Sequence, residues 1–345
     1  MSGFTRLRRL VPFHLLRHKP SSAYRVHQAG LLVLCLVGAC ALSGLARADR
    51  NRTDMRVSAD PAGKMEDQRG PIHVEVNLVS VIASVLDKNN RPAPDLTRDQ
   101  FEIYEEGKPQ KIEVFEPQTQ QPIDLALMMD ASLSELKELQ FETEAAAHFI
   151  RQVVRPGDRV AIFEFADAIT QLTAFSDDVP RLQNAVRHIT PGDGTALYDA
   201  VFLGSQALNK GAPERRRVLV LLTDAGETTS RSDFETARRA ALRAEALLYT
   251  IVMRPVKSEG GRNTAGEHAL ETIADTTGGA MYYPDEPSQL DAMFDRIDRE
   301  LRTQYRLGYY PQPRPPQGVY RQIEVRVKGD YLVRYRKLYY SGPVE

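Results

Sequence analysis

The sequence predicts a doubly wound α/β fold, with a mostly parallel sheet, one antiparallel edge strand and helices on both faces. It also predicts a smaller β-sandwich formed by the N- and C-terminal flanks. Three observations lead there. Between residues 123 and 301, short Val/Ile/Leu-rich runs alternate with longer stretches of helical period, the pattern of strands buried on both faces beneath crossover helices. On either side of that segment the hydrophobic period falls to two, which marks half-buried strands. Neither flank has enough strands to bury an apolar face by itself.

Residues 1–48 contain seven Lys/Arg and no Asp/Glu. Arg6, Arg8, Arg9, Arg17, Lys19 and Arg25 precede an apolar run over 30–45, and Ala46-Arg47-Ala48 then supplies small residues at the spacing a signal peptidase cleaves. This reads as an export signal. An uncleaved membrane anchor is the alternative, but the run is shorter than the ~20 apolar residues of a spanning helix. Val37-Gly38-Ala39-Cys40 offers a second processing route that would leave Cys40 lipidated and the protein tethered to a membrane. Arg8-Arg9 fits twin-arginine export poorly, because the apolar run starts too far downstream.

Residues 49–71 are polar, contain Pro and Gly, and read as a flexible linker. Residues 72–117 form the first part of the sandwich. Val74, Val76, Leu78, Ser80 and Ile82 alternate with their neighbours, 87–91 is a turn, and 101–104 and 111–115 are further short strands. The α/β domain spans 120–302, with strands over 123–129, 159–165, 169–174, 217–222, 247–253 and 280–283. Only three residues separate the second and third of these, so they pair as a hairpin and the third is the antiparallel edge. Ser232 and Glu235 are spaced as a capping box. Gly278-Gly279 stops the helix holding Leu270 and Ile273. Leu290, Met293, Phe294, Ile297 and Leu301 line one face of the last helix. Residues 256–266 read as a mobile loop, and 304–340 return to β character as the second part of the sandwich.

Composition narrows the function. With 42% hydrophobic and 26% charged residues, the chain is globular rather than disordered. Beyond residue 48, 38 Lys/Arg face 46 Asp/Glu, so the exported part is acidic and lacks a basic footprint for nucleic acid. Both cysteines, Cys35 and Cys40, precede the cleavage position. After cleavage there is no disulfide, thiol nucleophile or thiolate metal site.

The chemistry concentrates in three short segments. Asp130-Ala131-Ser132-Leu133-Ser134 places a carboxylate and two hydroxyls on the turn leaving the first core strand. Gly192-Asp193-Gly194-Thr195 offers a hydroxyl at a glycine-rich helix start, and Leu221-Leu222-Thr223-Asp224 ends a buried strand in a carboxylate. In an open α/β sheet such loops gather at the carboxyl ends of the strands, where ligands bind. Asp and Ser at a strand end also form turns and caps, so no single segment decides the matter; three segments on the right elements do. Asp130, Ser132, Ser134, Thr195 and Asp224 supply hard oxygen donors without His or Cys, which selects Mg²⁺, Mn²⁺ or Ca²⁺ over zinc. Glu135, Asp193, Asp199 and Glu227 lie nearby and read as helix-end or solvated charges, Asp199 serving local hydrogen bonding.

These motifs resemble the von Willebrand factor type A domain and its metal ion-dependent adhesion site, a Rossmann-like fold. Val160–Phe165, Gly194-Thr195-Ala196-Leu197-Tyr198-Asp199-Ala200 and Thr276-Thr277-Gly278-Gly279 extend the likeness. Leu96-Thr97-Arg98-Asp99-Gln100-Phe101 and Tyr305-Arg306-Leu307-Gly308-Tyr309-Tyr310 resemble the acidobacterial-type branch, so the resemblance runs from about 74 to 340. It implies the same five metal residues. The glycine that usually follows the last aspartate is Ala225 here, with Gly226 displaced by one.

Binding is expected rather than catalysis. Two ligand carboxylates leave a dication electrophilic, with a position open to a partner protein's Asp or Glu. His73, His148, His188 and His268 lie outside the motifs, and no G-x-S-x-G, H-E-x-x-H or P-loop pattern occurs. The expected protein is an exported, periplasmic, cell-envelope or secreted adhesion module. Its contact with membrane would run only through Cys40 or an uncleaved signal. An accessory subunit of a metal-dependent enzyme or ATPase complex, and a structural domain with a vestigial site, are the alternatives.

Overall fold

Two interleaved apolar sets along each core strand produce the layered core. The computed structural model describes residues 78–133, 139–253 and 263–342; the expected signal peptide and linker, and Ser134, lie outside the described residues. The N-terminal flank contributes β1 (Val79–Leu86), β2 (Phe101–Glu105), β3 (Lys108–Gln110) and β4 (Ile112–Glu116). Then follow β5 (Ile123–Asp130), α1 (Leu139–Val153), β6 (Arg159–Phe165), β7 (Ile169–Gln171), α2 (Val179–Val186), α3 (Leu197–Asn209) and β8 (Arg216–Thr223). The α/β part closes with α4 (Phe234–Arg243), β9 (Ala246–Val252), α5 (Thr264–Thr277), β10 (Ala280–Tyr282) and α6 (Leu290–Arg302). The C-terminal flank adds β11 (Tyr305–Tyr309), β12 (Tyr320–Val327), β13 (Leu332–Tyr335) and β14 (Leu338–Tyr340).

The central sheet has the order β10-β9-β8-β5-β6-β7. All neighbours are parallel except the β6–β7 hairpin, as the short 166–168 connection requires. Leu125, Leu127 and Met129 of β5 point to one face with Val218, Val220 and Leu222 of β8, where Phe149, Phe294 and Ile297 cover them. Ala126 and Met128 point to the other with Leu219 and Leu221, beneath Leu197, Val201, Leu270 and Ile273. The Phe149 and Phe294 rings stack with centroids 4.6 Å apart, which ties α1 to α6. The expected apolar face of α6 is the buried one, with Met293 at its margin.

Two four-stranded sheets, β13-β1-β11-β4 and β14-β12-β2-β3, mix strands of both flanks. They share one core containing Val81, Ala83, Phe101, Ile103, Leu307, Tyr309, Ile323 and Val325. The β-sandwich expected from the flanks therefore exists. Strand β1 is covered on both sides: Val79, Val81 and Ala83 face the sandwich core. Ile82 packs against the α/β core, and the Ser84 hydroxyl accepts from Gln304 Nε2 at 3.1 Å.

Two local expectations need correction. Asp233, not Ser232, caps α4, its side chain accepting from the Thr236 N–H. A carboxylate suits the positive end of the helix dipole better than a hydroxyl, and the Ser232 N–H is held by Asp199 Oδ1 at 2.8 Å. Glu235 is then drawn to Arg238 and Arg239, both at 2.8 Å. Within the expected loop 256–266, Thr264, Ala265 and Gly266 already belong to α5. The residues before 263 in that loop lie outside the described set.

Candidate metal centre

The chain runs from β5 to β6 in one direction and later from β8 to β9 and β10 in the other, so β5 and β8 flank the topological switch point. Loops leaving the carboxyl ends of these strands diverge to opposite faces of the sheet and leave a crevice between them. Asp130 is the last residue of β5, and Asp224 immediately follows β8.

Asp130 is 0% exposed. Its Oδ1 accepts the Ser132 N–H at 2.9 Å and its Oδ2 accepts the Thr223 hydroxyl at 2.5 Å. Burial pushes its carboxyl up to about 6; the hydrogen bonds from Thr223 and Ser132 oppose that rise, and the nearby charge of Asp224 adds to it. Ser132 is buried and bridges in parallel to Gly192, whose N–H donates to the Ala131 carbonyl at 2.8 Å. This bridge brings the glycine-rich loop beside the turn after β5. Thr195, also buried, is fixed through its backbone: its N–H donates to Thr228 Oγ1 at 2.8 Å, and its carbonyl accepts from the Thr228 N–H at 2.9 Å.

Asp224 turns back on its own loop, Oδ1 accepting the Gly226 N–H at 2.7 Å. A Cβ on Gly226 would stand 2.9 Å from Asp224 Oδ1 and 3.5 Å from both Thr195 Oγ1 and Asn263 Nδ2. The bare α-carbon of Gly226 thus forms one wall of a polar cradle that a methyl group would fill. Ala225 takes φ 63° to make the turn, and its N–H donates to Thr223 Oγ1 at 3.0 Å. Gly266 at the start of α5 lets the Ala225 carbonyl approach more closely than any side chain would allow, since its oxygen lies well inside contact distance of where a Cβ would sit.

The structure thus gathers Asp130, Ser132, Thr195 and Asp224; Ser134 is outside the described residues. Among the described residues no three His, Cys, Asp or Glu side chains converge as a metal site; Asp130 and Asp224 are the two carboxylates whose charges act on each other here. Glu227 anchors a helix end as expected, accepting the Tyr198 N–H of α3 at 3.1 Å and the Ser230 hydroxyl at 2.6 Å. Asp199 reaches further than local bonding: it holds the Arg231 and Ser232 N–H groups, more than thirty residues away in sequence. Sequence reasoning missed Thr223, Thr228, Gly226 and Asn263 as supports. Thr223 was visible as the one polar residue ending an apolar strand; Asn263 Nδ2, which donates to the Asp224 carbonyl at 3.2 Å, carried no signal.

Residues 125–227 match the von Willebrand factor type A domain. That segment contains all four gathered residues. Among solved structures the chain is similar to BatB from Bacteroides thetaiotaomicron, with 16% identity and TM-score 0.42 over 52% of this chain and 98% of that one. A von Willebrand factor type A protein from Catenulispora acidiphila shares 11% identity and TM-score 0.47 over 77% of this chain and 75% of that one. The type A domain of the type V pili tip protein Mfa5 from Porphyromonas gingivalis shares 12% identity and TM-score 0.44, over 52% and 95% respectively. No protein of curated function matches the chain.

Proposed function

We propose that the type A domain is a metal-dependent protein-binding module of an exported protein, and not an enzyme. The observation that carries this reading is the polar cradle at the switch point, where Thr195 and Asp224 meet at Gly226, with Asp130 close enough to feel the charge of Asp224 and Ser132 bridged to the glycine-rich loop at Gly192. The donor set fits a hard dication: carboxylate and hydroxyl oxygens only, two buried anions whose repulsion a cation offsets, and a wall kept open by a glycine. Asp130, Ser132, Ser134, Thr195 and Asp224 would hold Mg²⁺, Mn²⁺ or Ca²⁺. When bound, the ion offers an electrophilic position to a partner's Asp or Glu side chain.

The chain's own residues prepare that position. Thr223 and the Ser132 N–H hold the Asp130 carboxylate from below, and the Gly226 N–H does the same for Asp224. Leu133 and Phe141, each 55% exposed, leave apolar surface on the turn and helix after β5, suited to partner contact around the acidic group. The export reading rests on the basic n-region, apolar run and Ala46/Ala48 site of residues 1–48. Among the described residues no helix is long and apolar enough to cross a membrane.

Calorimetric titration with Mg²⁺ tests the reading. Wild type is expected to bind one ion and Asp130→Asn none, with an unchanged circular dichroism spectrum. Equal affinity in the two proteins would refute the assignment, and an absence of binding in wild type would mark the site as vestigial. Capture from the exported proteome in Mg²⁺ and in chelator then tests the partner: retention unchanged by chelator contradicts a metal-mediated contact.

A further inference from the structure

A cleft of about 400 Å³ opens where β10 and α6 meet β13 and the turn after β1. It shares no residue with the cradle around Gly226. Its walls are unusually basic: Arg296 and Arg299 come from α6, Arg334 from β13 and Arg91 from the turn. One carboxylate, Glu300, is present in the lining, and it is already satisfied. Its oxygens accept from the Tyr249 hydroxyl at 2.9 Å, the Tyr282 hydroxyl at 3.3 Å and Arg334 at 2.8 Å.

The remaining arginines have no such partner. Arg296 lies over the Tyr282 ring, 5.1 Å from its centroid, and Arg299 Nε donates to the Asp295 carbonyl at 3.2 Å. Among the described residues Arg91, Arg296 and Arg299 make no ion pair. Asp87 lies near enough to Arg91 to feel its charge without forming an ion pair with it. Beyond residue 48 the chain is acidic, so three guanidinium groups without an ion pair in one concave site are not a reflection of its general charge.

We propose that this cleft binds a small phosphate ester. Guanidinium groups arriving from a helix and a turn, with Arg334 beside them, suit a tetrahedral dianion with three terminal oxygens better than a single planar carboxylate. The volume falls in the range of about 300–1,000 Å³ typical of small-molecule sites, so there is room for an organic part as well as the phosphate. Asn89 and Asn90 line that room and supply amide donors and acceptors for hydroxyl groups.

Titration of the full chain with a hexose 6-phosphate and with the free hexose, in dilute chloride buffer containing chelator, tests the assignment. The phosphate is expected to bind saturably at one site and the hexose to give no heat. The Arg91→Gln/Arg299→Gln double variant, which alters two exposed side chains without ion pairs, is expected to weaken binding at least about tenfold while its circular dichroism stays that of wild type. Asp130→Asn is expected to bind the phosphate as wild type does, which separates this site from the metal reading. The proposal is overturned if the phosphate does not bind saturably, if the hexose binds equally, if the double variant keeps full affinity, or if Asp130→Asn loses it.

Discussion

Ala225 pays the conformational cost of the loop after β8. At φ 63° it sits in the left-handed region, which an L-residue enters at about 1–2 kcal/mol. Its fully buried methyl packs in the core beside Leu197 and Leu270, and its N–H is bonded to Thr223 Oγ1, so the surroundings hold it there. The glycine displaced to position 226 therefore does a different job from easing the turn: it keeps Asp224, Thr195 and Asn263 apart from a side chain. Gly226→Ala is expected to preserve the fold but weaken Mg²⁺ binding at least about tenfold, because the methyl would stand 2.9 Å from Asp224 Oδ1. Calorimetry on the variant checks this, and unchanged affinity would remove Gly226 from the site. Asp130 also behaves differently from a residue at an exposed strand end. Because it is fully buried, Asp130→Ala strands the Thr223 hydroxyl and Ser132 N–H, a loss of about 1–3 kcal/mol, whereas Asp130→Asn keeps an acceptor for them. Parallel thermal denaturation of the two variants should show the difference, with alanine the less stable.

At the scale of elements, the helix ends decide how the loops around the cradle are held. Asp233 caps α4, while Asp199 in the first turn of α3 takes the N–H groups of Arg231 and Ser232. Those two carboxylates, one per helix, stitch the loop after Asp224 to both. Asp233→Ala is expected to lower stability by about 1 kcal/mol, the usual worth of an N-cap, and Ser232→Ala to change it by less than about 0.5 kcal/mol. Chemical denaturation measures both; the reverse order would restore the Ser232 capping box. At the other end of α5, Gly278 has φ 85° and stands where a Cβ would collide with the Tyr335 carbonyl carbon. It stops the helix and admits β13 at the same point, and the Lys337 N–H completes the contact by donating to the Thr276 carbonyl at 2.8 Å.

For the whole molecule, the seam between the α/β part and the sandwich is the organising feature. Gln304 sits on it: its side chain donates to Ser84 Oγ and to the Tyr249 hydroxyl, and it accepts from Arg216 Nη1 at 3.0 Å. Burial pushes the Arg216 guanidinium down to about 10, with the charge of Arg302 acting in the same direction. Among the described strands, β1 pairs with β11 and β13, both from the far end of the chain. A chain truncated after residue 303 loses both partners and the covering of Val81, Ala83 and Phe101. Limited proteolysis is expected to cleave such a chain within 78–117 faster than the full chain; equal resistance would mean that these strands stand without the C-terminal flank.

Period and composition by themselves determined the fold class. Strands buried on both faces must be continuously apolar, helices between them must repeat every three to four residues, and a three-residue link leaves only a hairpin. They also singled out Asp130, Ser132, Thr195 and Asp224 as candidates, because three polar segments, two leaving apolar strands and one opening a helix, fall on elements whose loops gather at one end of the sheet. What only tertiary structure decided is what those side chains meet. That Thr223 serves Asp130, that Gly226 and not residue 225 keeps the cradle open, and that Asn263 reaches Asp224 depend on loops brought together from opposite faces of the sheet. So does the arginine cleft, which joins Arg91 to arginines more than two hundred residues further along the chain. A local pattern records how a residue suits its own helix or strand; long-range partners leave no period, because the chain between them can vary without changing the contact.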